Sequence, residues 1–131
     1  MSDKIKSIFT KEVCARLFPA ERADEFFNAM FGDASEGSYD IALKFQGHAP
    51  DKKELRFVLE LNERPGKCLA CNLTYGLPEV FNRHPVINIK GLADDIDKEL
   101  GDNLRVKDWY LGSTSVISKK THAIPLTIKT D

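Results

Sequence analysis

Arg64–Gly91, RPGKCLACNLTYGLPEVFNRHPVINIKG, decides how this chain is read. It holds a Pro-Gly turn, an alternating run, the single Cys-x-x-Cys of the sequence, a helical turn opened by Pro78 and a His84-Pro85 step. In the run, Leu69, Cys71, Leu73 and Tyr75 alternate with Cys68, Ala70, Asn72 and Thr74. Two earlier runs share its parity. Tyr39, Ile41, Leu43 and Phe45 form one apolar set, and Leu55, Phe57, Leu59 and Leu61 form the other. Period-two alternation repeated three times predicts a three-stranded antiparallel meander with one buried face. A two-residue Pro65-Gly66 loop would set Leu61 opposite Ala70, an apolar face against a polar one. Because a one-residue slip flips a whole face, the parity asks for an odd loop, such as Arg64-Pro65-Gly66 or five residues from Asn62. Leu61 then meets Leu69, and Leu59 meets Cys71.

Working outward to the N-terminus, residues 1–9 read as a loose arm. Thr10 is a natural N-cap, and Val13, Cys14, Leu17 and Phe18 follow at helical spacing. Pro19 disfavours helical backbone at Phe18 yet suits the start of a new helix. Ala20, Ala23, Phe27, Met30 and Phe31 form its apolar stripe, widened by Phe26, and Gly32 stops it. Toward the C-terminus, Ile89, Leu92, Ile96 and Leu100 define one face of a helix ended by Gly101, although Gly91 leaves its start open. Two β-rich runs, Arg105–Leu111 and Ser115–Ile128, flank Gly112-Ser113, and Pro125 points to a sheet edge or a bulge. The fold class is therefore α+β: an N-terminal kinked helix pair, a three-stranded antiparallel meander, a second helix and a C-terminal β-hairpin, with helices on one face of the sheet. At 131 residues this is expected to be a single domain over 1–131.

Composition narrows the function classes. With 42% hydrophobic and 30% charged residues the chain is ordinary for a soluble protein, and no run approaches a membrane span. A net charge of −1 gives no general attraction for nucleic acid or anionic lipid. Three cysteines and no secretory leader point to reduced thiols in a cytoplasmic protein.

The chemical motifs are then weighed one by one. In a strand, Cys68 and Cys71 would point to opposite faces with Cα atoms ~10 Å apart, beyond the ~7 Å a disulfide tolerates. Neither a metal site nor a cofactor is expected. Gly112-Ser113-Thr114-Ser115 lacks nucleophile-elbow spacing and reads as a turn. Arg105, Lys107, Lys119, Lys120 and Lys129 beside Trp109 and Tyr110 suit weak single-stranded nucleic-acid binding, and equally a charged, aggregation-resistant edge. Arg83-His84, between two prolines, suits a carboxylate or phosphate, so a ligand or enzyme pocket would gather Tyr75, Arg83, His84 and Trp109. On the reverse face of the meander, Ala42, Val58, Cys68 and Ala70 interrupt the charged positions and suit a docking patch. The leading expectation is a non-catalytic interaction module. It would engage another protein chain, or a second copy as a homodimer, through the outer sheet face or an edge strand.

Overall fold

The computed structural model describes residues 2–32, 39–65, 81 and 83–131. Three helices, α1 (Ser2–Ile8), α2 (Lys11–Leu17) and α3 (Glu21–Phe31), precede strands β1 (Tyr39–Ala49) and β2 (Glu54–Glu63). Helix α4 (Ile89–Leu100) and strands β3 (Val106–Leu111), β4 (Ser115–Val116) and β5 (Thr121–Thr130) follow. The strands form one antiparallel sheet ordered β1-β2-β5-β3, with β4 also on β5. The chain is an α+β protein, as its periodicities predict. No described helix is long and apolar enough to cross a membrane.

The shared parity of β1 and β2 is realised residue for residue. Ile41 pairs with Leu61, Leu43 with Leu59 and Phe45 with Phe57, before a bulge between Phe45 and Gly47 shifts the register by one. On its other side β2 meets β5, so that Leu59 faces Ile124 and Phe57 faces Leu126. Leu55, Leu59, Leu61, Ile124, Leu126 and Ile128 are all fully buried on this face. The second neighbour of β2 is thus the C-terminal strand, where the sequence placed the 69–75 run. The expected loop at Arg64-Pro65-Gly66 and the pairing of Leu61 with Leu69 lie outside the described residues. The hydrophobic alternation fixes which face is buried; it is the same for any two greasy strands, so it does not choose between partners.

The helices cover that face. Thr10 caps α2, its Oγ1 accepting the Val13 N–H at 3.2 Å. Phe18, held extended by Pro19, breaks the chain before α3, and Gly32 closes α3 in the left-handed conformation at φ 76°. In α4, Ile89, Leu92, Ala93, Ile96 and Leu100 are buried, and full burial of a large aliphatic side chain is worth roughly 1.5–3 kcal/mol. Asn88, at φ 50°, caps this helix by accepting the Gly91 N–H through Oδ1 at 3.1 Å.

Two expectations need correction. The loose arm over residues 1–9 is instead α1, with Ile5 and Phe9 buried in the common core. Ile5, Ile8 and Phe9 have the i, i+3, i+4 spacing of one helical face, too short a pattern to stand out alone. Seven residues do not hold a helix in water, so packing does the work: Phe9 stacks on Phe45 at 5.4 Å and meets Phe57 edge-on at 5.0 Å. Second, Pro125 lies within β5, between β2 and the β3/β4 side, and not on an edge strand. Its carbonyl accepts the Gly112 N–H at 2.8 Å, so its ring nitrogen, which has no proton to donate, faces the same side. There β3 ends opposite Leu126 and β4 begins opposite Ala123. The missing donor falls in the gap between the two short strands, a local edge inside the sheet.

Candidate functional site

Among the described residues the sheet ends in two strands, and they differ. β3 has six residues, a bulge between Val106 and Asp108, and charged Lys107 and Asp108 along it. Such features blunt an edge against further pairing. β1 has eleven residues, and β2 is its one strand neighbour among the described residues. Its bulge lies toward the C-terminal end, leaving Tyr39–Phe45 regular.

The outward side of β1 can be assigned from Pro125. Its carbonyl turns away from β2 toward Gly112, so Val58 opposite it turns its backbone groups toward β1, where Lys44 faces it. In an antiparallel strand the N–H and C=O of one residue point the same way, and the direction alternates along the chain. The backbone groups of Leu43 and Ile41 therefore point away from β2. Neither makes a hydrogen bond to a described residue outside the sheet.

Helix α2 runs beside this edge and makes it a groove. A cleft of about 200 Å³ is lined by Phe9, Lys11, Cys14, Leu43, Lys44 and Phe45. A second, of about 180 Å³, is lined by Lys11, Phe18, Ala20, Ile41, Leu43 and Lys44 among others. They meet at Lys11, Leu43 and Lys44. Along β1 one reaches Phe45 and the other Ile41. Each is below the ~300 Å³ at which small-molecule pockets begin. Each exceeds the ~150 Å³ cavity that takes up benzene, so the size suits one side chain.

The second cleft is mainly apolar, the first is mixed, and two lysines border both. Lys11 and Lys44 both line both clefts, and neither enters an ion pair among the described residues. Burial pushes the Cys14 thiol above its ordinary value, only partly offset by the Phe45 amide and the Lys44 charge. It is thus a protonated, weakly polar part of the wall.

The residues singled out from sequence fall in several places. Ala42 and Val58 are half-buried on the outer face, diagonal neighbours across the β1–β2 pair, with Ala42 opposite Glu60 and Lys44 opposite Val58. β5 extends this strip with Pro125 opposite Val58 and Ala123 opposite Glu60. Cys68, Ala70 and Tyr75 lie outside the described residues. Arg83 is exposed and in helical backbone. His84 is half-buried, packs edge-on against Phe26 at 4.8 Å, and accepts the Val86 N–H through Nδ1 at 3.2 Å. Trp109 pairs with Ile128 on the helix-covered face and packs against the core. Neither groove cleft is lined by Arg83, His84 or Trp109.

Sequence reasoning found Ala42 but missed Lys11, Cys14, Ala15 and Lys44 as a set. Three of them lie on a seven-residue helix and one on a strand thirty residues later, and only the packing of α2 against β1 joins them. No known protein family, curated protein or solved structure matches the chain.

Proposed function

We propose that this chain is an interaction module that engages another protein by accepting an extended segment along the outer edge of β1, which has no second strand neighbour among the described residues, in the groove beside α2. One observation carries the reading: outward-facing backbone groups of Ile41 and Leu43 run beside two side-chain-sized clefts that share Lys11, Leu43 and Lys44. In strand addition, main-chain hydrogen bonds supply affinity and pockets for alternate side chains supply selectivity. The groove offers both, and the bulge and Lys44 limit indiscriminate pairing at the same edge.

The outer sheet face is the second reading, favoured by the strip Ala42, Val58 and Pro125 across three adjacent strands, with Tyr110 51% exposed on the same face. Photocrosslinking in the producing cell separates the two. A photoreactive benzophenone side chain replaces Lys11 at the groove, Tyr110 on the outer face or Lys107 on the β3 edge. The groove reading expects defined adducts from position 11 and none from 107 or 110. It also expects their loss in Ala15→Trp, which fills the groove from an exposed position without lowering the melting temperature. Adducts at 110 with position 11 silent would transfer the function to the outer face.

A further inference from the structure

The turn between β4 and β5 departs from the rest of the surface. Residues 115–120 are all exposed, and Ile117 and Val116, at 66% and 54%, are the two most exposed large hydrophobic side chains among the described residues. Lys119 and Lys120 follow, and neither enters an ion pair among the described residues. We infer that this turn docks on an anionic lipid surface, with Val116 and Ile117 entering the interface and the two lysines meeting lipid phosphates. The turn shares no residue with the groove beside α2, so the two sites stand or fall separately.

The backbone holds this turn in one shape. The Ile117 and Ser118 N–H groups both donate to the Thr121 carbonyl at 3.0 Å, and Ser118 Oγ accepts the Lys120 N–H at 3.2 Å. The Glu63 N–H donates to the Lys120 carbonyl at 2.8 Å and ties the turn to the end of β2. The apolar pair is therefore displayed in advance, with little left to order on binding. Side chains directly opposite in a ladder share a face. Val116 thus lies on the same face as buried His122, yet itself stays outside the core.

Charge selects the occupant. The chain carries −1 overall, but from Gly112 to Thr130 it has three lysines and no carboxylate. Two apolar side chains beside two cations match the layering of an anionic membrane, apolar groups at the acyl boundary and amines at the phosphate level. A standard protein interface draws on roughly 20–30 residues a side, far more than one short turn presents, whereas a lipid surface needs no such complementary area. Single strands of nucleic acid need aromatic platforms, and residues 112–130 include no Phe, Trp or Tyr.

The probes are sucrose-loaded vesicles of phosphatidylcholine, alone or in a two-to-one mixture with phosphatidylserine, sedimented with the full chain. Binding is expected on the mixed vesicles, much weaker on phosphatidylcholine alone, and fading as salt is added. Lys119→Ala and Lys120→Ala together are expected to weaken it about twentyfold, near fivefold for each lysine. Ile117→Ser is expected to weaken it about tenfold, with the melting temperature unchanged because the site is exposed. In Ile117→Trp, brominated lipid tails are expected to quench the new tryptophan, while Trp109 of the parent, packed against the core, keeps its emission. Failure to sediment with the mixed vesicles would overturn the inference. So would binding that Ile117→Ser leaves intact, since the turn would then be a bystander. A concentration-dependent dimer abolished by Ile117→Ser would overturn it too, because the occupant would then be a second copy.

Discussion

The Asn88 carboxamide occupies the space a side chain at Gly91 would need: a Cβ there would lie 2.3 Å from Asn88 Nδ2 and 2.8 Å from its Cγ. The same side chain accepts the Gly91 N–H, so the cap and the missing methyl group are two parts of one arrangement.

Helix propensity alone says that Gly91→Ala stabilises by about 1 kcal/mol. Here the new methyl group expels the cap, a loss of about 0.5–2 kcal/mol, so the melting temperature is expected to stay level or fall. In the Asn88→Gly background, which keeps the left-handed backbone, the same change is expected to stabilise. A double-mutant cycle by thermal melting measures the coupling. A stabilising Gly91→Ala in the otherwise unaltered chain would show that the cap contributes nothing.

Arg64 ties the end of β2 to two other elements. Its Nη2 donates to Asp24 of α3 at 2.7 Å, its Nε donates to Asp40 of β1 at 3.0 Å, and its guanidinium lies 5.3 Å from the Phe27 ring centre. Both carboxylates are more than half exposed, while the Arg64 side chain is 16% exposed. Asp24→Asn and Asp40→Asn are each expected to cost about 0.2–1 kcal/mol. Arg64→Ala, which also uncovers the Phe27 face, is expected to cost about 1–3 kcal/mol. Urea unfolding of the three variants checks the order. An Arg64→Ala cost no larger than that of either aspartate would reduce the tie to surface charge.

Leu59 is fully buried between Leu43 and Ile124 in the middle of the sheet. Leu59→Ala is expected to destabilise by about 2–5 kcal/mol, against a total near 5–15 kcal/mol for a domain of this kind. A melt within a degree or two of the parent would contradict a rigid core at this position.

The alkaline side of the stability profile is set by Tyr39 and Cys14. Burial raises the Tyr39 phenol well above its ordinary value of 10.0 and the Cys14 thiol above 9.0. A group whose folded value is raised loses its proton first in the unfolded chain. Its contribution is whole below the unfolded value and disappears as pH climbs toward the folded one. Stability is expected to hold to about pH 9 and then fall, with a shallower fall in Tyr39→Phe. Melting temperatures from pH 8 to 11 read the slope. An identical slope in Tyr39→Phe would remove the phenol from the account.

How much of this was legible in the sequence follows from the range of each signal. Thr10, Pro19, Gly32 and Gly101 mark helix ends through local backbone geometry, and all four do so in the structure. The odd-numbered apolar residues of β1 and β2 face the core because alternation is local as well. Strand order is not local. β5 lies beside β2, nearly sixty residues from it in sequence, and nothing in the alternation of Leu55–Leu61 distinguishes that neighbour from a nearer one. Pro125 misled for a related reason, since a missing donor can be accommodated wherever a ladder changes partner. The groove was invisible because it is made by packing: Cys14 looked like a core thiol, which it is, and only the packing of α2 against β1 makes it a cleft wall.

Phe9 belongs to two structures at once, being the ring that fastens the first helix to Phe45 and Phe57 and also a wall of one cleft. A guest in that cleft leans on the fastening itself. Occupancy should slow fraying at the amino terminus, and anything that peels the terminus away should weaken the grip on the guest by the same factor, because the two events share one free-energy cycle.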